Sequence, residues 1–338
     1  MATARVPWID VHAHPGRCFL AGLDERDPLA SLLGGQDVAA ALSAARDAGL
    51  AAVTLSTVAD LRVLAPDPDK GLRASRPFQP GEAIADHRRQ LQGIGAIVAD
   101  LGAQIAVTAA AIEDAYAGGR TAVLISCEGG DFLEGRLEPL AEARAAGASS
   151  LTLLHYRVNE LGDVQTEEPV HGGLTAFGLE VVAECNRLGM IIDCAHASLA
   201  TTAGVLEAST QPVMISHSHL EQADRHHPRL LSPGHAQAVS SAGGLIGAWP
   251  AGVTSTSLRD FADEIVRLVD LIGVDHVAVG TDMDANYRPV LGSYADFARL
   301  PGLLADRGVS AVETDMILGA NFLELLGNVA DGGLRRPS

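Results

Sequence analysis

The chain is expected to fold as an α/β protein, a (β/α)8 TIM barrel. Three observations predict it. Eight short apolar runs alternate with helix-like segments rich in Ala, Leu and Glu. The runs read as continuous Val/Ile/Leu stretches rather than strict alternation, as strands buried on both faces do. Six of them end in a histidine or carboxylate, at the end of the strands where barrels of this kind carry their active sites. A doubly wound open sheet shares the β/α rhythm, but no glycine fingerprint follows the first strand to favour a nucleotide-binding version.

In chain order the expected strands are 6–12, 51–57, 122–128, 150–155, 190–196, 213–217, 244–249 and 276–282. Between Leu61 and Gln92 the rhythm breaks at a Pro- and Arg-containing stretch too long for an ordinary connection, which predicts an inserted loop near the second strand. Two readings of it stand: a lid or oligomer contact, and an ordinary surface insertion. The polar tail from Asp331 to Ser338 is expected to fray. With 338 residues, 47% of them hydrophobic and 20% charged, the whole of 1–338 suffices for one large-cored barrel domain.

Twenty-four basic residues against 42 acidic ones give a net charge of -18, which disfavours nucleic acid and anionic membranes as partners. The first residues lack the apolar run of a signal peptide and no later stretch is apolar enough to span a bilayer, so a cytoplasmic location is expected. Cys18, Cys127, Cys185 and Cys194 are scattered without a CxxC pair, which fits reduced thiols used as small hydrophobes.

The strand ends carry the chemistry. The first reads Asp10-Val-His12-Ala-His14, and the two-residue strand period points both imidazoles to one side, where they can chelate a metal. Alone, HxH also describes a polar strand end with solvated histidines. The third strand ends in Glu128 before two glycines that permit close backbone approach, and a carboxylate there can bridge two ions. The fifth and sixth strands end in His196 and His217. Any one of these is commonly structural, but five at strand ends of one barrel form a set that chance rarely assembles. Imidazole and carboxylate donors without thiolate suit catalytic zinc. If Glu128 spans two ions, the pair can activate a hydroxide and polarise a carbonyl, which predicts hydrolysis.

Asp282, after the eighth strand, stands where a general base could pass a proton from water to a leaving amine, with Asp284 behind it. Each could instead be a turn or N-cap carboxylate. His155, ending the fourth strand, is either an oxyanion stabiliser or structural. Arg225, His226, His227 and Arg229 place cations in a loop after the sixth strand, where an arginine can grip a substrate carboxylate or simply face solvent.

These residues resemble the membrane (renal) dipeptidase family, the M19 metallopeptidases of the amidohydrolase superfamily, over nearly the whole chain. The most specific piece is Gly173-Leu-Thr-Ala-Phe-Gly178 with Val181 to Met190 and Ile192-Asp-Cys-Ala-His196, similar to the family's GLTxFGxxVVxEMNRLGMxxDxSH. Cys127-Glu-Gly-Gly130, Leu151-Thr-Leu-Leu-His155, Ser216-His-Ser218, His227-Pro-Arg229, Gly280-Thr-Asp-Met-Asp284 and Gly319-Ala-Asn-Phe-Leu323 support it. The resemblance implies two Zn2+ per chain bridged by Glu128, one held with His12 and His14, the other with His196 and His217. It implies that His155 contacts the scissile carbonyl, Arg229 the substrate carboxylate, and that Asp282 shuttles the proton. The implied activity is hydrolysis of dipeptides, including those with a D-residue on the carboxyl side, by a protein that resemblance makes a homodimer.

Four positions depart from the family pattern. His14 replaces the carboxylate of HxD, Leu230 the asparagine of HPRN, Ala285 a glycine and Ala195 a serine. The HPR run also sits one residue late after the sixth strand, which keeps Arg225 as an alternative to Arg229. These departures point to a divergent subgroup. Two other functions are therefore carried: an amidohydrolase acting on an N-acyl amino acid, lactam or specialised-pathway intermediate, and a catalytically silent binding protein.

Overall fold

The structure, a computed structural model, describes residues 6–67, 71–223, 227–253 and 255–330. Eight strands form one parallel sheet in sequential order: β1 Trp8–Asp10, β2 Leu50–Val58, β3 Ala122–Glu128, β4 Ala148–Thr152, β5 Ile191–Asp193, β6 Met214–Ser218, β7 Leu245–Ala248 and β8 Val277–Val279. Val11 N–H donates to the Val279 carbonyl at 3.1 Å, so the first and last strands meet and the sheet closes into a barrel. Every strand residue is buried. That burial explains the unbroken apolar runs, since one side of each strand faces the barrel interior and the other the helices.

The two sides are distinct in the packing. Val53, Leu55, Val123, Ile125, Ile192 and Ile246 pack in the large core that also holds the helical residues Leu91, Ile94, Val181, Phe261 and Ile265. Ile9, Ala52, Leu124, Ile191, Met214, Leu245 and Ala278 instead join Phe322, Leu325 and Leu326 of the last helix, Asn321–Ala330. The catalytically suggestive strand ends lie at the opposite, carboxyl end.

The most family-specific run is a pair of helix-boundary devices. Thr175 caps helix Ala176–Leu188, its hydroxyl accepting from Gly178 N–H at 2.9 Å, and the helix stops at Gly189 in the left-handed conformation, φ 63°. The helix thus ends just before β5, which delivers His196. Gly280 is demanded by a close approach: a Cβ there would sit 2.0 Å from the Ser216 carbonyl oxygen. Asp193 cross-links three strands at the mouth, accepting from Thr152 Oγ1 at 2.7 Å and from the Ala195 and Ser216 N–H groups at 2.9 Å each.

The 61–92 segment holds more than a loop. A short turn, Leu61–Val63, leads into an antiparallel hairpin of Leu64–Asp67 with Gly71–Ala74, and from Glu82 the chain is already helix, continuing to Asp100. The expected boundary at Gln92 therefore runs into the helix. The polar run His87-Arg-Arg-Gln90 masked it, because Asp86, His87 and Gln90 are polar residues that are nevertheless buried, held by hydrogen bonds and, for His87, also by stacking on Phe132. All four cysteines are buried and unpaired. Among the described residues no helix is long and apolar enough to cross a membrane. The expected fraying of 331–338 falls outside the described residues.

Candidate metal centre and active site

The barrel mouth gathers His12, His14, Glu128, His155, His196, His217, Arg229 and Asp282, all buried, from residues at or just beyond six different strands. Arg225 and His226 lie outside the described residues. Glu128 stands at the centre. Its Oε1 is 3.2 Å from His12 Nε2, 3.3 Å from His196 Nε2 and 3.8 Å from His217 Nε2, while Oε2 is 3.2 Å from His14 Nε2 and 3.7 Å from His155 Nε2. Two triads have their donor atoms within 4.8 Å of one another, His12 with His14 and Glu128, and Glu128 with His196 and His217.

The donor set fits divalent metal. Burial first, then neighbouring positive groups, holds His196 and His217 well below the ordinary imidazole range, so both rings are neutral. Their Nε2 atoms face each other at 3.1 Å. Two nitrogens bound at 2.0–2.1 Å to one tetrahedral ion would stand about 3.3 Å apart. Among the described residues, Nδ1 of buried His12 and Nδ1 of His196 lack a hydrogen-bond partner. The remaining rings are oriented from behind, as metal-binding imidazoles usually are. His14 Nδ1 lies 3.1 Å from the Ser56 carbonyl, which fixes its proton there, and His217 Nδ1 lies 2.9 Å from Ser216 Oγ.

Charge at the site is balanced around Glu128. Burial alone would raise its pKa, but His155 and His12 hold the carboxyl well below the usual range. Burial opposes charge on His14, yet Cys18, Glu128 and Asp282 outweigh it and push its pKa well up, so this point attracts a positive charge, proton or metal. Burial raises Asp282, with the nearby histidines pulling it back. Its Oδ1 lies 3.4 Å from His14 Nε2 and its Oδ2 accepts from Trp249 Nε1 at 3.2 Å. Asp282 and His196 both hold positive φ, 53° and 65°, uncommon for residues with a Cβ and typical of functional turns. Asp284 accepts from Gly16 N–H at 2.6 Å, a turn-bracing contact between the loops after β8 and β1.

His155 is clamped. Asp60 Oδ1 lies 2.6 Å from its Nδ1 and Oδ2 accepts from Tyr156 N–H at 3.1 Å. Burial disfavours the imidazolium, but Asp60 and Glu128 raise its pKa to about 9, leaving Nε2–H aimed at the cluster as a donor. Arg229 is buried beside Trp249, its guanidinium 5.3 Å from the ring centroid, with Nη1 donating to Gln165 Oε1 at 2.8 Å. Its Nε and Nη2 are buried without a partner among the described residues. A cavity of about 480 Å³ connects these groups to the rim.

The structure thus brings together the eight residues to which the family resemblance gives a metal or substrate role, with Asp284 bracing the neighbouring turn. It adds Asp60, Tyr156, Gln165 and Trp249. Asp60 and Trp249 follow β2 and β7, the two strands left without a candidate; the rule of a histidine or carboxylate past a strand end extends to Asp60 but not to Trp249.

Fold and donor set together define an eight-stranded β/α barrel with a cluster of side chains suited to holding metal at its mouth. Residues 5–336 match the family described as membrane dipeptidase, peptidase family M19, and the chain belongs to that family. It is similar to the dipeptidase aclJ of Aspergillus oryzae, 32% identical over 275 residues, 76% of this chain and 64% of the relative. It is 30% identical to the dipeptidase verJ of Clonostachys rogersoniana over 239 residues, 68% of this chain and 61% of that relative. The match thus spans less than two thirds of the length of either relative. Among solved structures, the probable dipeptidase PvdM from Pseudomonas aeruginosa shares the fold with a TM-score of 0.78 at 19% identity, covering 97% of this chain and 96% of that one.

Proposed function

We propose that the protein is a metallo-dipeptidase that hydrolyses the amide bond of dipeptides, including those with a D-residue on the carboxyl side, with two Zn2+ as cofactors. The observation that carries it is Glu128, one buried carboxylate common to two imidazole groups, with a guanidinium that keeps two nitrogens unengaged among the described residues and a second carboxylate beside it. His12, His14 and Glu128 would hold one ion, Glu128, His196 and His217 the other; imidazole and carboxylate donors suit zinc. Bound there, the ions would polarise the carbonyl and lower the pKa of the attacking water.

The chain's own groups do the rest. Arg229, with two donors free, grips the substrate carboxylate and fixes the amide over the cluster. His155 Nε2–H, braced by Asp60, donates to the carbonyl oxygen as it gains negative charge. Asp282, its Oδ2 held by Trp249, takes the proton from water with Oδ1 and delivers it to the departing amine nitrogen. The C–N bond is replaced by C–O, and the water's proton ends on the amine.

The test is hydrolysis of L,L- and L,D-dipeptides and N-acyl amino acids by zinc-loaded protein, with Asp282→Asn alongside. Cleavage of dipeptides and a dead variant sustain the reading. Cleavage of N-acyl amino acids alone moves the site to the amidohydrolase alternative, and protein that binds no metal and cleaves nothing is the silent binder.

A further inference from the structure

The cavity has two unlike halves. Around the metal-ligand cluster it is polar. Toward β1 and β2 its wall is built from Phe19, Leu29, Leu33, Val58, Leu61 and Leu64. These side chains form an apolar cluster separate from both barrel cores, in which Leu29, Leu33 and Leu64 stay only partly buried. Leu32 lines the same wall and is 74% exposed. An apolar surface left open at the rim of a polar site marks a place for an apolar group to be covered on binding.

Its position says which group. In an eight-stranded barrel of sequential order, β2 lies across from β6. Arg229 follows β6 and packs on Trp249 after β7, whereas the wall is carried by the segment after β1, by helix Pro28–Leu33 and by the turn and hairpin after β2. A substrate whose carboxylate meets Arg229 and whose amide lies over the Glu128 cluster therefore extends its amino-side residue onto this wall. Charged groups there are already engaged: Arg17 Nη1 donates to the Leu33 carbonyl and Asp284 accepts from Gly16 N–H.

We infer that the protein selects substrates whose amino-side residue is large and apolar, of leucine or phenylalanine type, and that the wall carried by helix Pro28–Leu33 and the Leu64–Asp67 hairpin reads it. This rests on the dipeptidase reading above.

The experiment fixes the carboxyl residue as glycine and varies the amino residue through Leu, Phe, Ala, Asp and Lys, using zinc-loaded full-length protein. Leu and Phe are expected to exceed the other three in kcat/KM by about tenfold or more, the range that extra methylenes in an apolar pocket provide. Leu64→Glu should shrink the Leu-over-Lys ratio, mainly through KM, and Leu64→Ala should shrink it less; thermal melts confirm that both fold. Dipeptides cleaved without preference, or a preference that neither variant alters, overturn the inference and leave the proposed activity standing. If none of the five is cleaved, calorimetric binding of the same dipeptides decides. Tighter binding of Leu and Phe retains the wall's role while the hydrolytic reading falls, and equal or absent binding overturns both.

Discussion

Asp60 lies two residues past β2, yet both of its oxygens reach the loop after β4, where they hold His155 Nδ1 and the Tyr156 amide. Asp60→Asn keeps the shape, removes the charge, and presents either a donor or a weaker acceptor to Nδ1. A fall in kcat of about 10- to 100-fold is expected, the usual cost of losing such an orienting partner, with KM much less changed. In the proposed mechanism Arg229 meets the other end of the substrate. Arg229→Lys loses the planar fork and should raise KM by about 10- to 100-fold for dipeptides with a free carboxylate, the worth of a charge-assisted hydrogen bond. For the corresponding dipeptide amides the same substitution should alter KM little, so the ratio of the two KM values checks the role. At this scale the sequence was legible wherever residue type and strand-end position coincided, as for Glu128 or His217. It was opaque where a role comes from reaching across the mouth. Nothing local to Asp60 says that it serves His155, and nothing local to Gln165 says that it meets Arg229.

Elements were legible for a simple reason. A strand buried on both faces leaves an unbroken apolar run, and each of the eight runs overlaps a strand, although those at 6–12, 150–155, 190–196 and 276–282 extend past it into the loops that carry the site. The hairpin after β2 leaves no such trace, because its first strand, Leu64-Ala-Pro-Asp67, is half-exposed and carries a proline. Helix Glu82–Asp100 hides its start behind buried polar contacts, and those contacts have a measurable price. His87 is stacked on Phe132 at 3.7 Å, and burial takes its pKa down to about 3. On helix Pro233–Ser241, burial takes His235 to about 4. An unfolded histidine titrates near 6.5, so between pH 6.5 and these values the unfolded chain binds protons that the folded one refuses. Stability should be intact above that range and fall as pH drops through it, by up to about 1.4 kcal/mol per unit for each histidine. Urea midpoints from pH 7 to 5 check this, and His87→Gln should flatten the slope. Gly280→Ala drives a Cβ toward the Ser216 carbonyl and should lower the unfolding free energy by about 1–3 kcal/mol on the same assay.

For the molecule as a whole, metal and fold are coupled, because the triads exist only in the closed barrel. Zinc at about a hundred times its Kd should add about 2.7 kcal/mol to stability, read as a rise in Tm that a chelator reverses. Metal analysis should find two ions per chain, one or none in Glu128→Gln, and one each in His14→Ala and His196→Ala. The closure itself has a temporal side. His12 and His14 follow β1, Asp282 follows β8, and the seam between them is stitched by Asp282 N–H to the His12 carbonyl at 2.8 Å and by Thr281 N–H to Asp10 Oδ1 at 2.9 Å. The cluster is therefore built from residues that leave the ribosome far apart in time, His12 and His14 well before Asp282. Until residues near 282 have emerged, the early histidines have no completed pocket and the Asp282 carboxylate is missing from it. A nascent barrel consequently carries a half-built mouth while its middle strands emerge, and gains the whole site only when β8 docks against β1.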